Sequence, residues 1–278
     1  MAELPELETL RRELEKEAVG KRFKTPDVTG TKAVRHNGTK KAFQSRLEGA
    51  KVKSVERRGR HLVGVLDTGE LLVIDLGPTG RLEKVAPKST PPKGTAVVLS
   101  FTQGGQIRVV DPGASTEVFV VASDAVEAEV PALAAKGLDP VADAVSWTSF
   151  ARVLLGRSAK LKAILMDPDV VAGIGPLYSD EILWEAGLRH DRTSDSLSSQ
   201  EIRRLFRALV ETLHEAVKHR GTTIDEHPFA DLYGKPGDYQ NELKVYAREG
   251  EPCPRCRAPI AKGRYSNKPL YFCEACQV

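Results

Sequence analysis

A chain of 278 residues is long enough for one large domain or two medium ones with a real core. Its 41% hydrophobic and 28% charged content is ordinary for a soluble globular protein, and no apolar run approaches the length of a membrane span. The net charge of +3 says little about partners; basic residues instead concentrate at 24–41, at 51–61 and around the C-terminal cysteines, and each cluster alone reads equally well as a solvated face.

The chain opens MAELPELETL, with acids where a signal peptide would carry bases, so a cytoplasmic location is the default expectation. Leu4, Leu7, Leu10 and Leu14 recur at helical spacing and predict an amphipathic helix over 2–19. From about 20 to 123 the runs KVKSVERRGRHLVGVLD, ELLVIDLG, GTAVVLSFT and QIRVVDPG are rich in β-formers and broken by Gly, Pro and Asp, which predicts an antiparallel sandwich or barrel. An alanine-rich stretch beginning near 124 leads into predicted helices at 147–155, 158–166, 178–186 and 198–219. The last opens on a capping box from Ser198 to Glu201 and carries an apolar stripe through Ile202, Leu205, Leu209 and Leu213. Residues 220–245 read as loop, and within them Asp225, Glu226 and His227 fit an exposed polar loop better than a metal site. Strands first and helices second make the fold class α+β, with parts at 1–123, 124–240 and 241–278.

All four cysteines lie near the C-terminus, as Cys253-Pro-Arg-Cys256 and Cys273-Glu-Ala-Cys276 with sixteen residues between the pairs. That spacing is zinc-ribbon arithmetic. Each C-x-x-C turn sets two thiolates on one knuckle, and two knuckles complete a tetrahedron with no open position, so one structural Zn2+ is expected. The stretch between the pairs reads as two short strands around the polar turn SNKP, with Lys268 near the tip, where a positive charge suits a phosphate contact.

Three motifs in order, MAELPELE at the N-terminus, LMDPDVVAGIGPLYSDEILWEAGL at 165–188 and NELKVYAREGEPCPRC at 241–256, resemble the formamidopyrimidine-DNA glycosylase and endonuclease VIII family, and most closely its formamidopyrimidine branch. The resemblance runs essentially end to end. It implies a leading helix with a β-sandwich, a helix–two-turn–helix domain and a C-terminal zinc finger, in a bacterial repair protein that excises oxidised bases and cuts the abasic site. It also implies a monomer working on DNA at the nucleoid. In residues 171–175 the small side chains let backbone N–H groups approach a phosphate at a helix N-terminus, so Gly173 and Gly175 are expected at DNA, and Lys162 resembles a basic residue that the family points at the backbone. Pro176 stands where the family usually has Asn.

The family attacks C1′ of the damaged nucleotide with an N-terminal proline amine, and an adjacent glutamate handles protons. Here Ala2 and Glu3 occupy those places. Removal of Met1 would leave a primary α-amine, which titrates near ~7.7–8.0 and can form a Schiff base. Arg60 replaces the lysine of the family's R-R-G-K turn; it keeps the phosphate grip but cannot shuttle a proton. Lys268 stands for an arginine at the finger tip. The three side chains with which the family fills the gap left by a flipped base are absent from 76–82 and 111–116, where Pro78 alone could act as a wedge.

Two readings follow. In the first the chain is a glycosylase and abasic-site lyase using the Ala2 amine, with substrates already extruded, abasic or non-duplex. In the second it is a damaged-DNA-binding protein on the same scaffold without catalysis. The first is preferred, because DNA binding alone gives no reason for a small second residue followed by glutamate. A zinc-ribbon nucleic-acid module unrelated to repair would rest on the cysteines alone and leaves the other two motifs unexplained.

Overall fold

The computed structural model describes residues 2–86, 89–134 and 137–278. They form two compact units, Met1–Ala134 with His219–Asp238, and Ala135–Lys218 with Tyr239–Val278.

In the first unit, helix α1 (Leu4–Ala18) precedes eight strands: β1 (Asp27–Val28), β2 (Val52–Arg58), β3 (His61–Leu66), β4 (Glu70–Asp75), β5 (Arg81–Val85), β6 (Thr95–Ser100), β7 (Gln106–Val110) and β8 (Glu117–Ala122). They build two antiparallel sheets, ordered β1-β6-β7-β5 and β2-β3-β4-β8. The main core combines Leu7, Leu10 and Leu14 of α1 with Leu62, Leu72, Val97, Leu99, Val109 and Val120 from both sheets. A smaller cluster of Val63, Leu71, Val73, Phe119 and Val121 lies under Val126 and Leu133. Because alternate residues of β4 and β8 thus enter different clusters, LLVI and VFVV are buried throughout rather than alternating.

Two elements escape the sequence reading. A 3-10 segment (Thr31–Asn37) and helix α2 (Lys40–Leu47) fall within or beside the basic stretch 24–41. They cover the free edge of β8. The Asn37 amide donates to the Val120 carbonyl at 2.7 Å and accepts the Val120 N–H at 2.9 Å, replacing the missing neighbouring strand. Arg46 adds a bond to the same carbonyl at 2.7 Å and pairs with Glu70 at 2.6 Å, while Phe43 is fully buried beneath.

The segment 219–238 packs with this unit because α1 holds it. Glu6 accepts the Thr222 N–H at 2.8 Å and Glu13 accepts the Leu232 N–H at 2.9 Å.

The second unit follows the short helix α3 (Val126–Glu129). It contains α4 (Trp147–Leu155), α5 (Leu161–Leu165), α6 (Pro176–Ala186) and the long α7 (Ser199–Lys218), then the hairpin β9 (Ala261–Tyr265) and β10 (Lys268–Phe272). Ser198 caps α7 through the reciprocal bonds expected of a capping box, its N–H donating to Glu201 at 2.8 Å. No helix among the described residues is long and apolar enough to cross a membrane.

Asn37→Ala would leave the Val120 N–H without its acceptor and the Val120 carbonyl with Arg46 alone. It is expected to cost about 1–3 kcal/mol in urea unfolding, and an unchanged midpoint would show that water replaces the amide at no cost.

Candidate active site and metal centre

Ala2 lies half-buried against the main core and lines a cavity of about 340 Å³ with Leu10, Pro78, Thr79, Arg81, Thr223 and Phe229. Glu3 is the N-cap of α1. It forms a capping box with Glu6, which accepts the Glu3 N–H at 2.9 Å. Both carboxylates are buried, Glu6 completely. The sequence marks these acids as dipole partners at a helix start; it does not show that Glu6 also holds a strand of chain 216 residues away. Nor does it place Thr223 and Phe229 beside Ala2, since the loop carries no motif. Of the polar trio in that loop, Asp225 and Glu226 are exposed, but His227 is buried and faces Glu6, a correction to the reading of a solvated loop.

The third acid of the opening motif, Glu8, is also buried. Burial opposes its charge, but Arg11, Arg57 and Arg12 more than offset that and hold its carboxyl below the usual range. Arg57 reaches it at 3.3 Å and is itself buried, so this arginine of the R-R-G-R turn faces the protein. Arg60 sits after Gly59 (φ +58°) in the two-residue turn between β2 and β3, partly exposed and with no ion pair among the described residues.

On the same unit the loops 76–80 and 111–116 close on each other. Asp111 accepts the Thr79 hydroxyl at 2.5 Å and the N–H groups of Gly113 at 3.0 Å and Thr116 at 2.6 Å. Burial opposes the carboxylate, yet these donors keep its pKa below the ordinary value. A Cβ on Gly113 would meet the Thr79 hydroxyl at 2.3 Å, so this closure demands glycine there. The exposed tips are Pro78, Thr79, Pro112, Gly113 and Ala114, all small.

In the second unit Gly173 takes φ +74° and Gly175 is the N-cap of α6, with Pro176 at its first position, where proline needs no donor. Both glycines are buried. Lys162 is a correction. Its side chain is fully buried, and its ammonium meets Asp180 at 2.5 Å, Ser179 Oγ at 2.9 Å and the Pro176 carbonyl at 3.1 Å. An ammonium so enclosed serves the protein interior and is not presented to a phosphate. Burial drives the Asp180 pKa up to about 7 even with Lys162 opposing it.

Helix α6 turns three successive or near-successive side chains toward the cysteine hairpin. Asp180 accepts the Tyr271 N–H at 2.9 Å, Glu181 accepts N–H groups of Lys244, Val245 and Tyr246 at 2.8–2.9 Å, and the Trp184 indole N–H points at Cys253 Sγ at 3.5 Å. The four cysteines are free of disulfides and their sulfurs lie within 4.8 Å of one another. Cys253 to Cys276 is 3.8 Å and Cys256 to Cys273 is 3.5 Å, close to the ~3.8 Å edge of a tetrahedron with ~2.3 Å bonds. Desolvation opposes ionisation of Cys253, but the Cys256 and Arg255 N–H groups and the Trp184 indole bring its thiol down to about 6. Desolvation and the neighbouring sulfurs push Cys276 and Cys273 up. Four thiolates so close need a cation to ionise together, so the donor set fits a thiolate-preferring metal ion. Among the described residues this is the one such cluster. Beyond it, Ser266 (φ +47°) and Asn267 (φ +63°) make the hairpin turn, and Lys268 is exposed at the start of β10.

Lys162→Met strips Asp180 of its buried cation and is expected to destabilise the second unit by about 3–5 kcal/mol. The salt dependence of DNA binding should stay unchanged in that variant; a lost phosphate contact would reduce the logarithmic slope by about one. Trp184→Phe removes the N–H donor to Cys253 and is expected to weaken metal affinity about tenfold in competition with a chromogenic chelator. Equal affinity would reduce the indole to a packing role.

Comparison with known proteins gives the family. The formamidopyrimidine-DNA glycosylase N-terminal domain matches residues 1–118, and the H2TH domain of the same enzymes matches residues 136–227. A formamidopyrimidine-DNA glycosylase of Geobacillus kaustophilus is 36% identical over 277 residues, spanning 100% of both chains. The crystal structure of the MutM (Fpg) protein of Thermus thermophilus superposes with a TM-score of 0.87 at 33% identity, over 99% of this chain and 98% of that one. Lactococcus lactis Fpg in complex with DNA containing an abasic site gives a TM-score of 0.89 at 29% identity, over 99% of both chains. The matched domains, the four-cysteine hairpin and the full-length likeness together make this chain a member of the formamidopyrimidine-DNA glycosylase family.

Proposed function

We propose that the chain is a DNA-repair glycosylase and abasic-site lyase that works through the Ala2 amine. The observation that carries this reading is the placing of Ala2 on a cavity, directly before the buried Glu3. Loss of Met1 would expose a primary amine to that cavity.

The neutral amine lone pair forms a bond to C1′ as the bond from C1′ to the base breaks, and the departing base keeps that electron pair. The bound nitrogen gives up one proton and O4′ takes one as the C1′–O4′ bond breaks, O4′ keeping that bond's electron pair and the nitrogen lone pair forming the C=N bond of a protonated imine. Loss of a C2′ proton sends electrons toward that imine and expels the 3′ phosphate. Glu3, acceptor of the Glu6 N–H in the capping box, has lone pairs to spare for moving protons. The imine of a primary amine can itself lose its proton, which a proline iminium cannot, so the elimination step is slower than a proline would make it.

Arg60 and Lys268, at two hairpin turns, would grip phosphates, and the turn at Gly173 and Gly175 would lay backbone N–H groups along the strand. Zn2+ held by Cys253, Cys256, Cys273 and Cys276 would stiffen the hairpin carrying Lys268 and take no part in the chemistry. The substrate is abasic, extruded or non-duplex DNA, and the protein acts as a monomer in the cytoplasm at the bacterial nucleoid. The three parts, 1–123, 124–240 and 241–278, would respectively carry the chemistry, hold the backbone and clamp it, with 219–238 returning to the first part to line the Ala2 cavity.

One observation favours the alternative of DNA binding without catalysis. The loops from which the family projects its void-filling side chains are tied to each other through Asp111 and end in small residues, so duplex bases would be flipped poorly.

Borohydride added to the protein with abasic-site DNA is expected to trap a covalent adduct at Ala2, and Ala2→Pro should speed strand cleavage about tenfold. A chain with Met1 still attached in its intact mass, or tight binding with neither adduct nor cleavage, would leave only the binding reading.

A further inference from the structure

The loop 222–229 carries an ionisable side chain that the proposed chemistry does not use. His227 is fixed by a narrow turn in which the Ile224 N–H meets the His227 carbonyl at 3.2 Å and the His227 N–H meets the Ile224 carbonyl at 2.9 Å. Its side chain is 7% exposed, and its Nε2 lies 3.6 Å from Glu6 Oε2 without a hydrogen-bond partner. A lone ring nitrogen buried at this distance from a fully buried carboxylate is costly unless the two carry opposite charge. The loop also comes as close to Glu6 as a chain can. Gly221, at φ +85°, would place a Cβ 2.6 Å from Glu6 Oε1. The same carboxylate accepts the N–H of Glu3, the residue bonded to Ala2, and the N–H of Thr222, the neighbour of cavity-lining Thr223.

We infer that His227 is a positioning residue for the Ala2 amine, acting through Glu6: as an imidazolium it compensates the Glu6 charge and keeps that carboxylate on the Glu3 and Thr222 N–H groups. This rests on the catalytic reading above. Among the described residues, the charged groups that act on His227 are Glu6 and Glu3 from the helix start, which favour its cation. Burial disfavours the cation, yet the charges of Glu6 and Glu3 outweigh it and raise the pKa above the ordinary 6.5. The pair is therefore held at pH below that elevated value and is lost as pH rises through it. The amine has the opposite requirement, since it attacks only after losing its proton. Adduct formation should be bell-shaped in pH, with the amine on the acid limb and His227 on the alkaline limb.

Two measurements test this, one of them independent of activity. The imidazole Cε1 proton of His227, followed by NMR in the full-length zinc-loaded protein, is expected to titrate above 6.5, and Glu6→Gln should bring it down. A titration at or below 6.5 in the unaltered chain, or one that Glu6→Gln leaves in place, would overturn the pairing whether or not the protein is a lyase. In borohydride trapping, the alkaline limb of the unaltered chain is expected to fall about tenfold per pH unit. His227→Asn, folded by its melting curve, should trap more slowly at neutral pH and show no alkaline limb. A His227→Asn profile that keeps both limbs would overturn the positioning role. Absence of any adduct from the unaltered chain would overturn the catalytic reading and this role together, while the resonance titration still decides the pair. Should Glu6→Gln fail to fold, the His227→Asn profile decides the proposal by itself.

Discussion

A carboxylate taken out of water must be met by donors or cations, and both units are assembled around carboxylates that satisfy this requirement with distant backbone. Glu6 joins the first turn of α1 to the N–H of Thr222 and faces His227. Asp180 and Glu181, adjacent on α6, join that helix to β10 and to the chain just before the first cysteine. In each case the acid stands at or near a helix start or along a short helix, and its partners arrive from far along the sequence. The Thr222 bond stands next to Thr223 on the Ala2 cavity, and the Tyr271 bond stands two residues before Cys273. Deleting Glu6 or Glu181 would leave two or three buried N–H groups without acceptors at once, a larger loss than any single surface ion pair supplies.

This dependence explains what could be read in advance. Strands with β-branched runs, the α7 stripe with its Ser198 cap, and the paired cysteines each carry their signal within a few residues, and each lies where the pattern predicts. Helix α2 does not, because its stretch looks like a basic surface and its place comes from Asn37 and Arg46 meeting the edge of β8. Lys162 looks like a phosphate ligand in sequence, and only the fold brings Asp180 and Ser179 around it. His227 sits among polar neighbours that are exposed, and its burial follows from the close approach of Gly221 to Glu6. Local periodicity finds elements; pairing of buried charge over long separations is invisible to it.

The residues around the proposed chemistry have changed unevenly relative to the family pattern. The buried frame, Glu3, Glu6, Glu8 and Arg57, and the cysteine cluster are in place. On the proposed reading, the changes fall on groups that would meet the nucleic acid or the reacting carbon: Ala2, Arg60, Pro78, Gly113 and Lys268. Such a division keeps the cost of change off the core. Under the proposed function it would direct the protein toward DNA whose damaged nucleotide is already out of the stack, since small residues on a loop pair locked through Asp111 stand in place of the side chains that would hold a helix open.

The chemistry proposed above turns on the α-amine of Ala2 as the nucleophile. Its most direct test is mass spectrometry of the borohydride-reduced complex with single-stranded abasic DNA, mapped to the peptide level. A sugar adduct on the amino group of Ala2, in a chain that has lost Met1, is expected. An adduct confined to lysine side chains, or none while the DNA stays tightly bound, would contradict it.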